Sequence, residues 1–197
     1  MKKKTLSRVL AFSLCAALLA TTGCGGSDKK DGSTDAKQTE AAAAKDEMHI
    51  AVSANPPTLD TQISNSNIVG QIAYHIFEPL FAMDENYEPQ PVLAESYEVS
   101  EDGLEYTIKL RKGVKFHNGN EMTADDVVAS MNRWIEKSPK ANTLIGGSTF
   151  EKVDDYTVKI TTPGPSAILL ADLAHHGNAI VPKALLDEGN DFNTNPI

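Results

Sequence analysis

The sequence predicts a mixed fold of the α/β or α+β class, in which helices pack against a sheet. Residues 104–110 alternate between apolar and polar side chains, which is typical of a strand with one buried face. Residues 124–135 carry apolar side chains at helical spacing behind a capping-box pattern. Residues 48–197 are numerous enough to bury roughly 70% of their unfolded surface, so we expect one substantial lobe.

The composition excludes two broad classes of protein. The chain has 197 residues, a formal net charge of -9 and 41% hydrophobic residues. A nucleic-acid-binding domain normally carries net positive charge, because it displaces counterions from phosphate. A multi-pass membrane protein needs several apolar runs that can cross ~30 Å of hydrocarbon, whereas the long apolar run of this chain lies at its N-terminus and is short.

Residues 1–23 have the layout of a bacterial export signal. Positive charges at positions 2–4 and 8 precede an apolar stretch over residues 9–20, and small residues follow. The next residue is Cys24, and residues 19–24 (LATTGC) resemble a lipobox, whose cysteine receives a diacylglycerol group. Thr21 stands where that pattern prefers Leu, so a secreted protein with a free N-terminal thiol is the alternative. We expect Cys24 to be lipidated, which would anchor the protein on the periplasmic or outer side of the cell membrane.

The remaining domain organisation follows from the cysteines and from a polar stretch. The two cysteines are Cys15, inside the segment that would be removed, and Cys24, so the exported lobe has no disulfide. Residues 24–47 are polar apart from alanine and cannot bury enough surface to offset chain entropy. We therefore predict a signal peptide over residues 1–23, a lipid-anchored flexible tether over 24–47 and the lobe over 48–197.

The lobe begins with two predicted elements that a polar break separates. Residues 48–53 alternate apolar and polar side chains and predict a strand. Pro56 and Pro57 have no amide hydrogens to give to a ladder, so this strand cannot continue. Residues 68–77 then carry apolar side chains at helical spacing, and Pro79 predicts the end of a helix.

Two hairpins and two further helices are predicted beyond this point. In chain order they are a hairpin of residues 97–99 and 104–110, a helix over residues 123–135, a second hairpin of residues 148–153 and 156–161, and a short helix over residues 167–174. Val127, Val128, Met131 and either Trp134 or Ile135 are expected to face inward from the longer helix.

Four sequence blocks in the lobe are similar to one known family. They are residues 76–81 (IFEPLF), 91–104 (PVLAESYEVSEDGL), 106–119 (YTIKLRKGVKFHNG) and 122–128 (MTADDVV). In this order they resemble the N-terminal lobe of the extracellular solute-binding proteins of family 5, the peptide- and nickel-binding components of ABC importers. The resemblance runs from about Ile50 to the last residue.

The resemblance implies both a fold and a function. The fold is the N-terminal lobe of a two-lobed, type II periplasmic-binding-protein architecture, and members of the family are longer, so the chain is expected to be incomplete. The function is that of a substrate-binding lipoprotein, which captures peptides or related solutes outside the cytoplasmic membrane for an ABC importer. Expected partners are the solute, permease and ATPase subunits, and the membrane through the lipid anchor, but no nucleic acid. We expect a monomer without a cofactor. Nickel, metal-chelate or oligosaccharide binding is the alternative within the family.

The predicted ligand-binding residues are Ser53, Asn65, Ser66 and Asn67. They offer hydrogen-bonding side chains in irregular segments next to a strand and a helix, and in the resembled family the corresponding segment borders the ligand. The alternative is that these polar residues only cap the helix that begins near Asn67.

Other polar clusters are better explained by structure than by chemistry. The five histidines lack the short spacings of metal sites, and the rings of His175 and His176 should diverge on a helix or strand. Asp125 and Asp126 fit a capping box. Lys109, Arg111, Lys112 and Lys115 are expected to make surface salt bridges, and Phe116 to be buried.

The sequence indicates a protein without catalytic residues. It contains no G-x-S-x-G, no H-E-x-x-H, no cysteine nucleophile in the lobe and no phosphate-binding G-x-x-x-x-G-K-[ST]. We therefore predict no enzyme activity and no metal. The rival classes are a secreted hydrolase and a structural surface lipoprotein.

Overall fold

The computed structural model describes residues 49–196, in which strands and helices form two sheets with helices packed against them. In chain order the elements are α1 (Asn67–Ala73), β1 (Phe81–Met83), β2 (Pro89–Pro91), β3 (Ala94–Val99), β4 (Glu105–Leu110), α2 (Ala124–Lys137), α3 (Pro139–Ile145), β5 (Thr149–Asp154), β6 (Thr157–Thr161), α4 (Leu169–Asp172) and α5 (Lys183–Asp187). The sheets are β1-β2 and a four-stranded sheet in the order β3-β4-β6-β5. All of these pairings are antiparallel, so the predicted mixed fold takes its α+β form in the described residues. None of the helices within residues 49–196 combines the length and the hydropathy that a transmembrane span requires.

Strand β4 lies inside the four-stranded sheet and confirms the predicted alternation. Tyr106, Ile108 and Leu110 are buried, whereas Glu105 is exposed. Ile108 lies opposite Val158 of β6, and β3 pairs with the other edge of β4. Both predicted hairpins are therefore present, and their apolar faces form one side of the core.

Helix α2 packs against β5 and β6 and contributes the other side of that core. Its predicted capping box is confirmed: the backbone N–H of Thr123 donates to the Asp126 carboxylate at 2.8 Å. Val127, Met131 and Trp134 are at most 1% exposed. The predicted inward face is thus confirmed at these three positions, whereas Val128 and Ile135 are only half-buried. The helix extends two residues beyond the predicted end, to Lys137.

The predicted strand over residues 48–53 is wrong in its described part. Residues 49–53 form no strand, and Ile50 and Val52 remain 53% and 44% exposed. An alternating pattern becomes a strand only when a neighbouring strand bonds to it and covers its apolar face. None of the described strands pairs with this segment.

Two predicted helices are shorter than their apolar patterns. Helix α1 ends at Ala73 rather than Phe77, because the N–H groups of His75 and Ile76 bond three residues back, at 3.0 and 2.9 Å. Helix α4 covers only Leu169–Asp172 of the predicted residues 167–174. It ends in a tight turn that continues through Gly177.

Short elements with weak sequence signals were not predicted. Helix α3 follows Ser138, whose side chain accepts the Ala141 N–H at 3.3 Å, with Pro139 in the first turn. This Ser-Pro pattern is a recognisable helix start. Helix α5 and the three-residue strands β1 and β2 are too short for periodicity to show them.

Candidate functional site

The polar segment before α1, residues 60–66, is buried at its start and exposed further on. Asp60, Thr61 and Gln62 are 6%, 4% and 2% exposed, although all three are polar. From Ile63 onward, exposed side chains alternate with half-buried ones up to Asn67. The segment is therefore anchored at one end and presents side chains to solvent at the other.

The anchor is a set of hydrogen bonds to Arg133 of α2. The guanidinium donates to both carboxylate oxygens of Asp60, at 3.1 and 2.5 Å, and to the Gln62 side-chain oxygen at 2.6 Å. The ring of Phe192 lies 5.2 Å from the guanidinium carbon. This two-pronged contact fixes the direction as well as the distance between α2 and the segment.

The Gln62 side chain extends this anchor to a third part of the chain. Its amide donates to the carbonyls of Ser130 and Ala179, at 3.0 and 3.1 Å. The hydroxyl of Ser130 in turn donates to the Val181 carbonyl and accepts the Val181 N–H, at 3.1 and 2.9 Å. The segment, α2 and residues 179–181 are thus joined through fully satisfied buried polar groups.

The far end of the segment rests on the turn that contains His176. A Cβ built on Gly70 of α1 would lie 2.9 Å from the Nδ1 of His176, so helix and ring are in direct contact. Tyr74, the C-cap of α1, meets the same ring edge-on with centroids 6.2 Å apart. Burial lowers the pKa of His176, an effect that the Ser64 backbone partly opposes.

The rings of His175 and His176 are stacked, which corrects the expectation that they diverge. Their centroids are 4.1 Å apart at 29°, and His175 stacks in turn on Trp134 at 5.9 Å and 19°. The two residues lie in a turn after α4, where consecutive side chains can point the same way. Burial lowers the pKa of His175 to about 4, helped by His176 and by the charge of Lys140. Both rings are therefore neutral near pH 7 and act as an aromatic support.

The four predicted ligand-binding residues are all at or near the surface. Ser53 is exposed in a bend, Asn65 is exposed in the segment, Ser66 is the half-buried N-cap of α1, and Asn67 is the exposed first residue of that helix. The side chain of Ser66 makes no capping hydrogen bond. None of the four side chains hydrogen-bonds to another residue of the described range. The hydrogen-bonding groups of these four side chains could therefore bind a solute, and their role in ligand binding stays a prediction.

A cavity of about 320 Å³ lies elsewhere in the lobe, and none of those four residues lines it. Its walls come from residues 74–78, from residues 114–118 and from the stretch around α5. Phe116 lines it and is half-buried against the core, so its ring is less buried than expected. Periodicity could not have found this cavity, because its walls are far apart in the sequence.

The charged clusters have structural contacts. Lys109 donates to the Thr157 hydroxyl at 3.0 Å, Arg111 to the Val92 carbonyl at 2.5 Å, and Lys112 lies over the Tyr156 ring. The salt bridges predicted for this cluster are absent among the described carboxylates. In the described residues, no three His, Cys, Asp or Glu side chains group as metal ligands would.

Comparison with known proteins assigns the chain to a family. Residues 88–197 match the family model described as bacterial extracellular solute-binding proteins, family 5 Middle. The chain belongs to this family. The predicted resemblance is thus confirmed: the family consists of solute-binding proteins, and its members are extracytoplasmic or periplasmic.

Individual relatives agree in sequence and in fold. The glutathione-binding protein GsiB of Escherichia coli O1:K1 / APEC is 35% identical over 170 residues, which cover 84% of this chain and 33% of GsiB. The periplasmic binding protein AgaA of A. tumefaciens R10, in complex with agropinic acid, is 36% identical with a TM-score of 0.63, over 71% of this chain and 29% of AgaA. DppA from Helicobacter pylori, in complex with the peptide STSA, is 27% identical with a TM-score of 0.60, over 73% of this chain and 31% of DppA. The predicted periplasmic-binding-protein fold is therefore confirmed, and the chain spans about a third of the length of these relatives.

Proposed function

We propose that this family 5 chain is the N-terminal lobe of a substrate-binding lipoprotein of an ABC importer, which captures peptides or related solutes outside the cytoplasmic membrane. The names of its relatives support this class of solute, since they bind glutathione, agropinic acid and the peptide STSA. The protein holds its solute without changing it, and permease and ATPase subunits carry out transport.

The observation that carries the proposal is the chemistry of residues 61–74. They contain no charged side chain, although 23% of the chain is charged. Asn65 and Asn67 are exposed within this stretch, and their side-chain amides are not used in the described contacts. Each amide offers two donors and an acceptor, the groups that complement the uncharged N–H and C=O groups of a peptide backbone. We therefore place one wall of the ligand site at Asn65, Ser66 and Asn67, with Ser53 as a further contributor.

The domain organisation in the proposal follows the sequence. Residues 1–23 act as the signal peptide, Cys24 carries the lipid, and residues 24–47 form the tether; these residues lie outside the described part of the chain. A compact unit that begins at His49 supports a lobe that starts close to the proposed residue 48. A tethered, monomeric lobe can meet solutes above the membrane and deliver them to a membrane-bound permease.

Calorimetry on the full-length protein tests this function. Short peptides, glutathione and an opine are titrated into the lipid-free protein, and each mixture is then analysed for cleaved products. We expect saturable heat with at least one peptide and recovery of every peptide intact. Peptide turnover would favour a hydrolase, and the absence of both heat and turnover would favour a structural lipoprotein.

A further inference from the structure

The exposed part of the proposed ligand wall is short and is held at both ends. At one end Asp60 and Gln62 are bonded to Arg133, and at the other α1 rests through Gly70 on the ring of His176. The seven residues between Gln62 and Gly70, 63–69, include both exposed asparagines. A segment this short has little freedom while both anchors hold.

The Arg133 anchor is largely shielded from water. The side chains of Arg133 and Asp60 are 20% and 8% exposed, whereas every other described ion pair has at least one partner that is half exposed or more. Shielding strengthens the interaction, and the planar guanidinium satisfies three acceptor atoms in one geometry. A lysine ammonium is a single point charge and cannot reproduce this planar arrangement of hydrogen bonds.

We propose that Arg133 is a positioning residue of the ligand site, which holds Asn65 and Asn67 in the orientation that binds solute without touching the solute itself. This inference rests on the proposed function. The physical reason is preorganisation: a binding site that is already ordered loses less conformational freedom when it binds solute. Without the hydrogen bonds of Arg133 to Asp60 and Gln62, the solute itself would have to order Asn65 and Asn67. Solute affinity would then fall even in a folded protein.

A purely structural role for Arg133 predicts a different result. In that case its substitution would lower the melting temperature, and solute affinity would change no more than in any variant of equal stability. The readout must therefore separate affinity and local order from global stability.

The test compares Arg133→Lys and Asp60→Asn with wild-type full-length protein. Lys152→Gln is the matched control, since it breaks the ion pair of Lys152 with Asp125. Asp125, like Arg133, lies on α2, but at the exposed N-terminal end of the helix. The three measurements are the Kd for the best peptide by calorimetry, the melting temperature without ligand, and hydrogen exchange of residues 60–67. The double variant Arg133→Lys/Asp60→Asn completes a thermodynamic cycle.

We expect Arg133→Lys to raise the Kd by about tenfold and to speed exchange in residues 60–67. Asp60→Asn should do the same, and the double variant should be little worse than either single variant. Lys152→Gln should leave the Kd and this exchange unchanged. A wild-type Kd in folded Arg133→Lys, or a loss of affinity in all variants in proportion to melting temperature, would overturn the inference. Absence of any solute binding by the wild type would instead overturn the proposed function on which it rests.

Discussion

Substituting Gly70 tests the contact between α1 and the histidine turn. Alanine is normally favoured over glycine inside a helix by about 1 kcal/mol. Here the added Cβ would lie 2.9, 3.1 and 3.2 Å from three atoms of the His176 ring. That ring cannot easily move, because it is stacked on His175 and meets Tyr74 on another side. Overpacking of this kind typically costs ~1–3 kcal/mol, so we expect Gly70→Ala to be destabilising by about 1 kcal/mol net.

The assay is thermal unfolding of the full-length protein by calorimetry, with two comparisons. Gly164→Ala is the matched control, because a Cβ there meets no atom within 4 Å, and it should be neutral or slightly stabilising. In a His176→Ala background the clash is gone, so Gly70→Ala should become stabilising by roughly 0.5–1 kcal/mol. A higher melting temperature for Gly70→Ala in the wild-type background would refute the described contact.

Three further predictions concern ligand, pH and membrane. Asn65→Ala and Asn67→Ala should each weaken peptide binding by about 1 kcal/mol without lowering the melting temperature. The control Asn86→Ala removes an exposed amide in another turn and should change neither the affinity nor the melting temperature. Unchanged affinity in the first two variants would remove Asn65 and Asn67 from the site. Because the pKa of His175 is lowered from 6.5 to about 4, the folded lobe binds fewer protons than the unfolded chain between these pH values, so stability should fall as the pH drops through that window. His175→Phe should flatten this dependence of the melting temperature, and an unchanged slope would show that His175 does not cause it. Cys24→Ser should move the protein from the membrane fraction to the soluble fraction, and retention at the membrane would exclude Cys24 as the anchor.

Elements whose own residues determine them were predictable. Strand β4 shows period-two alternation, and α2 shows both its capping box and its apolar face, so the signal lies within one stretch of sequence. The predicted strand over residues 48–53 failed for the opposite reason: its alternation needs a partner strand, and no described strand supplies one. The local sequence pattern sets the propensity of a segment to form a strand. Whether the strand forms depends on the elements that pack beside it.

The candidate site divides in the same way. Polar composition in irregular segments, together with the family resemblance, pointed to Ser53, Asn65, Ser66 and Asn67 as ligand-binding residues, which stays a prediction. The Arg133 anchor was not foreseen, since its partners are 71 and 73 residues away and Arg133 looks like any charge on an amphipathic helix. The stacked histidines were misjudged because regular geometry was assumed for residues that lie in a turn.

Hydrogen exchange of the full-length protein with and without peptide tests most directly whether solute lies against α1 and the segment before it. We predict that saturating peptide slows exchange in residues 63–71 and leaves the exposed turn at residues 84–88 unchanged. Equal exchange of residues 63–71 in the free and peptide-bound protein would contradict the proposed site.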